Sequence, residues 1–260
     1  MDKIQTRMID GPAALNGSDH TDNELAVIQK KMDELIKEIN QFTYIITHDL
    51  QAPLRMVTGF LELLEKKYAG KLDAGAKQYI DYAMKGSLKM KELVFDLLDY
   101  SRLSSVTYEF GEADLNEVLN TANVKSIPGF DHKKIIITHD DLPIVWGSCK
   151  LLAQLFSELI SNAIKFNNNA TIEICIEVNR TDRGWKIAVI DNGIGIDPAY
   201  FDKIFQVFRK LHTDEAGYKG SGIGLAICKK IAELHNGTIE VLSQPGKGST
   251  FTLFIPDKKL

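Results

Sequence analysis

Residues 158–166 read Glu158-Leu159-Ile160-Ser161-Asn162-Ala163-Ile164-Lys165-Phe166. Glu158, Asn162 and Lys165 are spaced four and three apart, so on a helix they share one face. An amide oxygen or carboxylate beside a lysine suits a hydrated Mg²⁺ carrying phosphate. A solvated polar helix face has the same pattern. Two glycine clusters follow in the chain. Asp191-Asn192-Gly193-Ile194-Gly195-Ile196 comes straight after a strand-like run. Its glycines allow backbone to approach a flat ligand, and a buried, ionised Asp191 can accept a hydrogen bond from an exocyclic amine. An ordinary hairpin turn would look alike. Gly220-Ser221-Gly222-Ile223-Gly224-Leu225 leads into a helical stretch. Unpaired N–H groups and the dipole at a helix N-terminus favour anions. The spacing is neither that of a P-loop nor that of a Rossmann fingerprint.

Working outward, Ile135–Ile137, Ile172–Val178, Trp185–Ile190, Thr238–Leu242 and Thr250–Ile255 read as strands. Helical stretches lie at Lys150–Lys165 and Ile223–Leu234. Two adjacent strand pairs with a few helices predict an α+β sandwich, a mixed sheet with helices on one face. Before it the pattern is helical. Leu25, Ile28, Met32, Leu35, Ile39, Phe42 and Ile46 form an a/d heptad seam. A parallel partner helix satisfies so narrow a seam; packing within one domain is the alternative. The helix runs to about Tyr68 with Pro53 inside it, Gly70–Gly75 make a turn, and a second helix runs from about Ala76 to Leu103. The units divide as a disordered tail at 1–22, a helical hairpin at 23–104 and a second domain at 105–260, with the hinge near 104–112.

The 260 residues leave room for two compact units at about 150 residues per domain. The apolar fraction of 44% and charged fraction of 25% fit a globular chain. A net charge of −4 argues against general nucleic-acid binding. No apolar run approaches the roughly 18 to 20 residues that span a bilayer, and the N-terminus lacks a signal-peptide core, so direct membrane insertion is not expected. Three widely spaced cysteines, Cys149, Cys175 and Cys228, fit free thiols in a reducing cytosol.

Taken in order, these motifs resemble the core of a sensor histidine kinase. Residues 25–103 resemble the dimerisation and histidine-phosphotransfer hairpin, a four-helix bundle on dimerisation. Residues 148–255 resemble the GHKL (Bergerat) ATP-binding fold shared with gyrase and MutL. The wording Thr47-His48-Asp49-Leu50-Gln51-Ala52-Pro53-Leu54-Arg55 is most like kinase modules behind phytochromes and PAS domains. The resemblance implies that His48 is autophosphorylated from ATP, with Asp49 as base or orienting partner. It makes Asn162 the Mg²⁺ ligand, Lys165 and Phe166 its basic and aromatic neighbours, and Asp191 the acceptor for the adenine amine. Gly193, Gly195 and Ile196 shape the adenine pocket. Gly220, Gly222, Ile223, Gly224 and Leu225 flank the phosphates. Phe205 and Phe208 match the F box, and packing accounts for both. Residues 209–219 become an ATP lid carrying Arg209, Lys210 and Lys219. Gly246, Gly248 and Thr250 match the last glycine motif.

Two residues depart from the family pattern. Glu158 stands where most members have asparagine, and related ATPases use glutamate there to activate water, so Glu158 is a candidate base or Mg²⁺ contact. Ala52 replaces the Thr or Asn of bifunctional relatives and has no hydrogen-bonding side chain, which predicts weak phosphatase activity. The implied partners are a second copy through residues 25–103, a response-regulator receiver domain, and an upstream sensor domain or protein acting through the N-terminal helix. The expected product is a cytoplasmic kinase core that is either cut from a longer sensor or takes its input from another protein. A GHKL-type ATPase or serine kinase, and a non-enzymatic scaffold, are the alternatives.

Overall fold

The computed structural model describes residues 17–68, 70–122, 134–211 and 220–257. Helix α1 (Gly17–Tyr68) continues through Pro53 without a break in the helix, and α2 (Ala74–Ser105) folds back along it. Thr58 on α1 meets Ser87 on α2, oxygen to oxygen at 2.7 Å, and Arg102 lies over the Tyr44 ring. Thr47, Leu54, Val94, Leu98 and Ser101 complete the buried stripe between the helices. The heptad seam lies elsewhere on α1: Ile28, Met32, Leu35, Ile39, Phe42 and Ile46 are all at least 40% exposed in the single chain.

The helix limits differ from the sequence reading at two places. Residues 17–22, expected in the tail, belong to α1, because extending an existing helix is far cheaper than nucleating one. Residues 1–16 lie outside the described residues. Helix α2 starts at Ala74 rather than Ala76, because Asp73 caps it: its carboxylate accepts from the Ala76 amide at 2.7 Å. Among the described residues no helix is long and apolar enough to cross a membrane.

The second unit begins with three short elements that the sequence patterns missed. These are β1 (Gly111–Asp114), α3 (Leu115–Thr121) and β3 (Ile144–Gly147), with β1 antiparallel to β3. A four-residue strand shows at most two alternations, and a seven-residue helix only two turns, which is too little period to stand out. The main sheet is built from β2 (Lys134–His139), β4 (Thr171–Thr181), β5 (Gly184–Asp191), β6 (Thr238–Ser243) and β7 (Ser249–Pro256). Its order is β2-β4-β5-β7-β6, with only the β2–β4 pair parallel. Strands alternate, so Ile172, Ile174 and Ile176 of β4 and Phe251, Leu253 and Ile255 of β7 all point into one core. Helices α4 (Cys149–Lys165) and α5 (Gly224–Leu234) cover that face with Leu152, Leu155, Phe156, Ile160, Ile227 and Ile231. The expected hairpin followed by an α+β sandwich is the fold observed.

Helix α2 does not end free of the second unit. Leu103 is buried in the sandwich core, and Leu97 and Tyr100 pack against it. The covalent boundary falls at the end of α2, but the apolar packing crosses it.

Candidate nucleotide site and phosphoacceptor helix

The inner stripe of α4 is apolar, which leaves Glu158, Asn162 and Lys165 on the rim facing the glycine loop ahead of α5. A Cβ on Gly224 would collide with the Glu158 carboxylate and lie 3.9 Å from Asn162 Nδ2. A Cβ on Gly220, where φ is +150°, would strike Lys165 Nζ. The two glycines thus let one polar helix face close against the loop. Burial pushes the Glu158 carboxyl up to about 7; the Asp96 and Asp99 carboxylates of α2 add to this, and Lys165 opposes it. Lys165 Nζ also stands 5.0 Å over the Phe166 ring.

Asp191 ends β5. Its Oδ1 accepts from the Gly193 amide at 2.7 Å and from the Ser249 amide at 3.3 Å. Burial holds this carboxyl above the usual range, and the two backbone hydrogen bonds act against that. Side chains at Gly193 and Gly195 are excluded: a Gly193 Cβ would sit 2.5 Å from the Phe166 carbonyl oxygen, and a Gly195 Cβ would enter the Gln244 carbonyl at a φ of +72°. Ile196 is half-buried; its amide donates to Ser243 Oγ at 2.8 Å, and that hydroxyl donates to the Gly248 carbonyl. Thr250 on β7 pairs with Ile190.

Several contributors were not read from the sequence. Asn192 Oδ1 accepts from Asn167 Nδ2 at 2.6 Å and from the Glu173 amide, while its own amide donates to the Thr171 carbonyl. This knot ties the end of α4 to the Asp191 turn. Asn167 lies just beyond the Lys165-Phe166 pair, and that adjacency was the signal to find it. Asp96, Asp99 and Lys89 of α2 reach the site only through tertiary packing, so no local pattern marked them.

Ile223 is fully buried at the start of α5, Gly224 opens the helix and Leu225 follows half-buried. Gly222 has a φ of +80° and lies under the Arg209 backbone. Phe205 packs on the core as expected, whereas Phe208 is 49% exposed with a φ of +63°; packing does not account for that residue. Arg209 is exposed next to it. Lys219 and most of the expected lid, residues 212–219, lie outside the described residues.

His48 sits on α1 with its side chain 68% exposed and Nδ1 3.3 Å from Asp49 Oδ1. Tyr44, one turn earlier, stacks with its ring at 6.4 Å between centroids. Ala52 is exposed one turn later. His48 is therefore on the hairpin, and Glu158, Asn162, Lys165, Asp191 and the glycines converge on one rim of the sandwich.

A glycine-lined rim with a buried carboxylate, joined to a helical hairpin that exposes a histidine, defines a histidine-kinase type of catalytic core. Residues 38–106 match the family model of the His Kinase A (phospho-acceptor) domain, and residues 147–259 match that of the histidine kinase-, DNA gyrase B-, and HSP90-like ATPase. The chain has the two-domain core of a protein-histidine kinase. It is 41% identical over 234 residues to cyanobacterial phytochrome A of Nostoc sp., covering 90% of this chain and 30% of that protein. It is 32% identical over 250 residues to the adaptive-response sensory kinase SasA of Synechocystis sp., covering 90% of this chain and 64% of that protein. The chain spans about a third of the length of the phytochromes it matches. Among solved structures, full-length ShkA in complex with AMPPNP aligns with a TM-score of 0.61 and 25% identity, over 83% of this chain and 46% of that one. Acinetobacter baumannii histidine kinase AdeS has the same fold, at a TM-score of 0.55 and 20% identity over 82% of this chain and 98% of that one.

Proposed function

We propose that the chain works in a two-component phosphorelay: it transfers the γ-phosphoryl group of ATP to His48 and passes it to an aspartate of a response-regulator receiver domain. The observation that carries this reading is His48 itself, exposed on α1 with Nδ1 turned to Asp49. With the proton on Nδ1 and held by Asp49, the lone pair is on Nε2, the nucleophile. Nε2 bonds to the γ-phosphorus, the bond to the bridging oxygen breaks, and ADP leaves.

ATP is the substrate for which the rim is shaped. Asp191 accepts from the adenine amine beside Gly193, Gly195 and Ile196. Gly220, Gly222, Ile223, Gly224 and Leu225 line the phosphates, with Thr250 at the margin. Lys165, Arg209, Lys210 and Lys219 neutralise phosphate charge, and Phe166 backs Lys165. Among the described residues no group of three or more His, Cys, Asp and Glu converges on a metal position. Mg²⁺ keeps several waters and takes few protein ligands beside phosphate. Glu158 and Asn162, adjacent where Gly224 lets them close on the loop, are the donors that would hold it. When bound, Mg²⁺ supplies charge neutralisation on the transferring phosphoryl group.

The partners follow from the same reading. The exposed seam from Ile28 to Ile46 pairs with a second copy, making residues 25–103 a four-helix bundle, and α1 receives input from an upstream sensor domain or protein. A cytoplasmic setting and no role in nucleic-acid binding go with it.

A second reading is ATP hydrolysis with Glu158 as the base that activates water, favoured by its raised proton affinity. Incubation with γ-labelled ATP and Mg²⁺ tests the first reading: wild type should take up acid-labile, base-stable label, and His48→Gln should take up none. Label that persists in His48→Gln would refute it. ATP turnover by His48→Ala at the background rate would refute the second.

A further inference from the structure

Lys89 Nζ donates to the carbonyl oxygen of Gly220, and the Ser221 hydroxyl donates to the Asp96 carboxylate. Lys89 is also paired with Glu92 at 3.0 Å. Ser221 is buried, and its Oγ accepts from the Ile223 amide at 3.2 Å, so the loop carries the contact on its own backbone frame. Further along the same helix Leu103, Tyr100 and Leu97 pack on the sandwich core. One side of α2 therefore grips the second unit by apolar packing near its C-terminal end and by two polar contacts nearer its middle.

That side faces away from the phosphoacceptor helix. Ser87, Val94 and Leu98 are buried against α1. Lys89 and Asp96 each follow one of these residues by two positions, about 200° around the helix. Along the axis, the Thr58–Ser87 and Tyr44–Arg102 contacts bracket His48 and place it level with the α2 segment that holds Asp96. The phosphate loop is thus held near the height of His48 but behind α2. In addition, Asp96 brings a carboxylate to the loop, and together with Asp99 it adds to burial in raising the proton affinity of Glu158, which lies against Gly224.

We propose that Lys89 and Asp96 form a clasp that holds the Gly220–Ser221 loop on the far face of α2 in a resting state, and that the clasp opens when triphosphate occupies the loop. Its effect on His48 rests on the kinase reading above; its effect on nucleotide binding does not. Part of the binding free energy of the nucleotide is spent on opening, so the apparent affinity is reduced by the fraction of molecules that are open.

The test uses the full chain with Asp96→Asn and, separately, Lys89→Met, titrated with a fluorescent ATP analogue and assayed for acid-labile label on His48. Both variants should bind the analogue about three- to tenfold more tightly and label His48 faster, since each removes one side of the clasp. Unchanged affinity in both overturns the proposal. So does slower labelling in both, which would make the contact one that seats the loop for the reaction. If wild type takes no label while both variants bind the analogue more tightly, the kinase reading fails and the clasp stands. If wild type labels normally and neither variant changes affinity, the clasp alone fails.

Discussion

Asp191 Oδ1 accepts the Gly193 amide hydrogen at 2.7 Å, so the carboxylate is held in its turn by the backbone it serves. The same oxygen accepts from Ser249 on β7, which locks the turn to the neighbouring strand. Asp191→Ala leaves both amides without this acceptor and should cost about 2–4 kcal/mol of stability, read from denaturant unfolding. Asp191→Asn keeps an acceptor oxygen. It should fold normally yet weaken ATP binding by about ten- to hundredfold, the worth of a hydrogen bond to a charged group, as titration calorimetry would show.

Glu158 carries a pH signature. Its carboxyl is raised from 4.5 to about 7 in the folded protein, so folding favours the protonated form. The favourable contribution is fully present below pH 4.5 and is lost as pH rises through about 7. Glu158→Gln should therefore gain stability relative to wild type as pH rises across that window and level off above it. The full difference is at most about 3 kcal/mol, measured by unfolding without nucleotide.

His235 should show the opposite slope. It is buried; Nε2 accepts from the Ser148 amide at 3.0 Å, and Nδ1 donates to the Ile231 carbonyl at 2.7 Å. Burial lowers its proton affinity from the ordinary value of 6.5. Its contribution is present above pH 6.5 and is lost as pH falls through the lowered folded value. His235→Leu should cost about 1–3 kcal/mol at neutral pH, because the Ser148 amide loses its acceptor. It should also flatten the acid limb of a melting-temperature profile.

Ala52 is exposed one helical turn beyond His48 and offers no side-chain hydrogen bond. Ala52→Thr places a hydroxyl there without disturbing a buried contact. It should shorten the lifetime of a phosphorylated receiver domain mixed with the protein, with little change in His48 labelling. An unchanged lifetime would overturn the expectation that Ala52 limits phosphatase activity.

Much of this was legible in order along the chain. The spacing of Glu158, Asn162 and Lys165 put them on one helix face, and the structure turns that face to the glycine loop. Four strands of the main sheet were visible because their apolar residues alternate over several positions, and β2 because Ile135–Ile137 is a β-branched run. The elements β1, α3 and β3 were not, since a four-residue strand or a two-turn helix shows too little period, and the β1–β3 pairing joins segments some 30 residues apart. The sequence predicts packing for Phe208, which is exposed instead, its backbone held at a positive φ that no pattern of apolar residues reveals.

By itself the sequence determined the hairpin, the sandwich and the shared helix face of Glu158, Asn162 and Lys165. Those depend on local periodicity, on glycine's freedom at tight approaches and on side chains one helical turn apart. Only the tertiary structure decided what surrounds the rim. Asp96, Asp99 and Lys89 are ordinary charges on an exposed-looking helix until α2 packs its far side against the second unit. Packing then buries Glu158 among carboxylates and raises its proton affinity, because charge is costly away from water and costlier beside like charge. That energy depends on distance in space, which sequence separation does not encode.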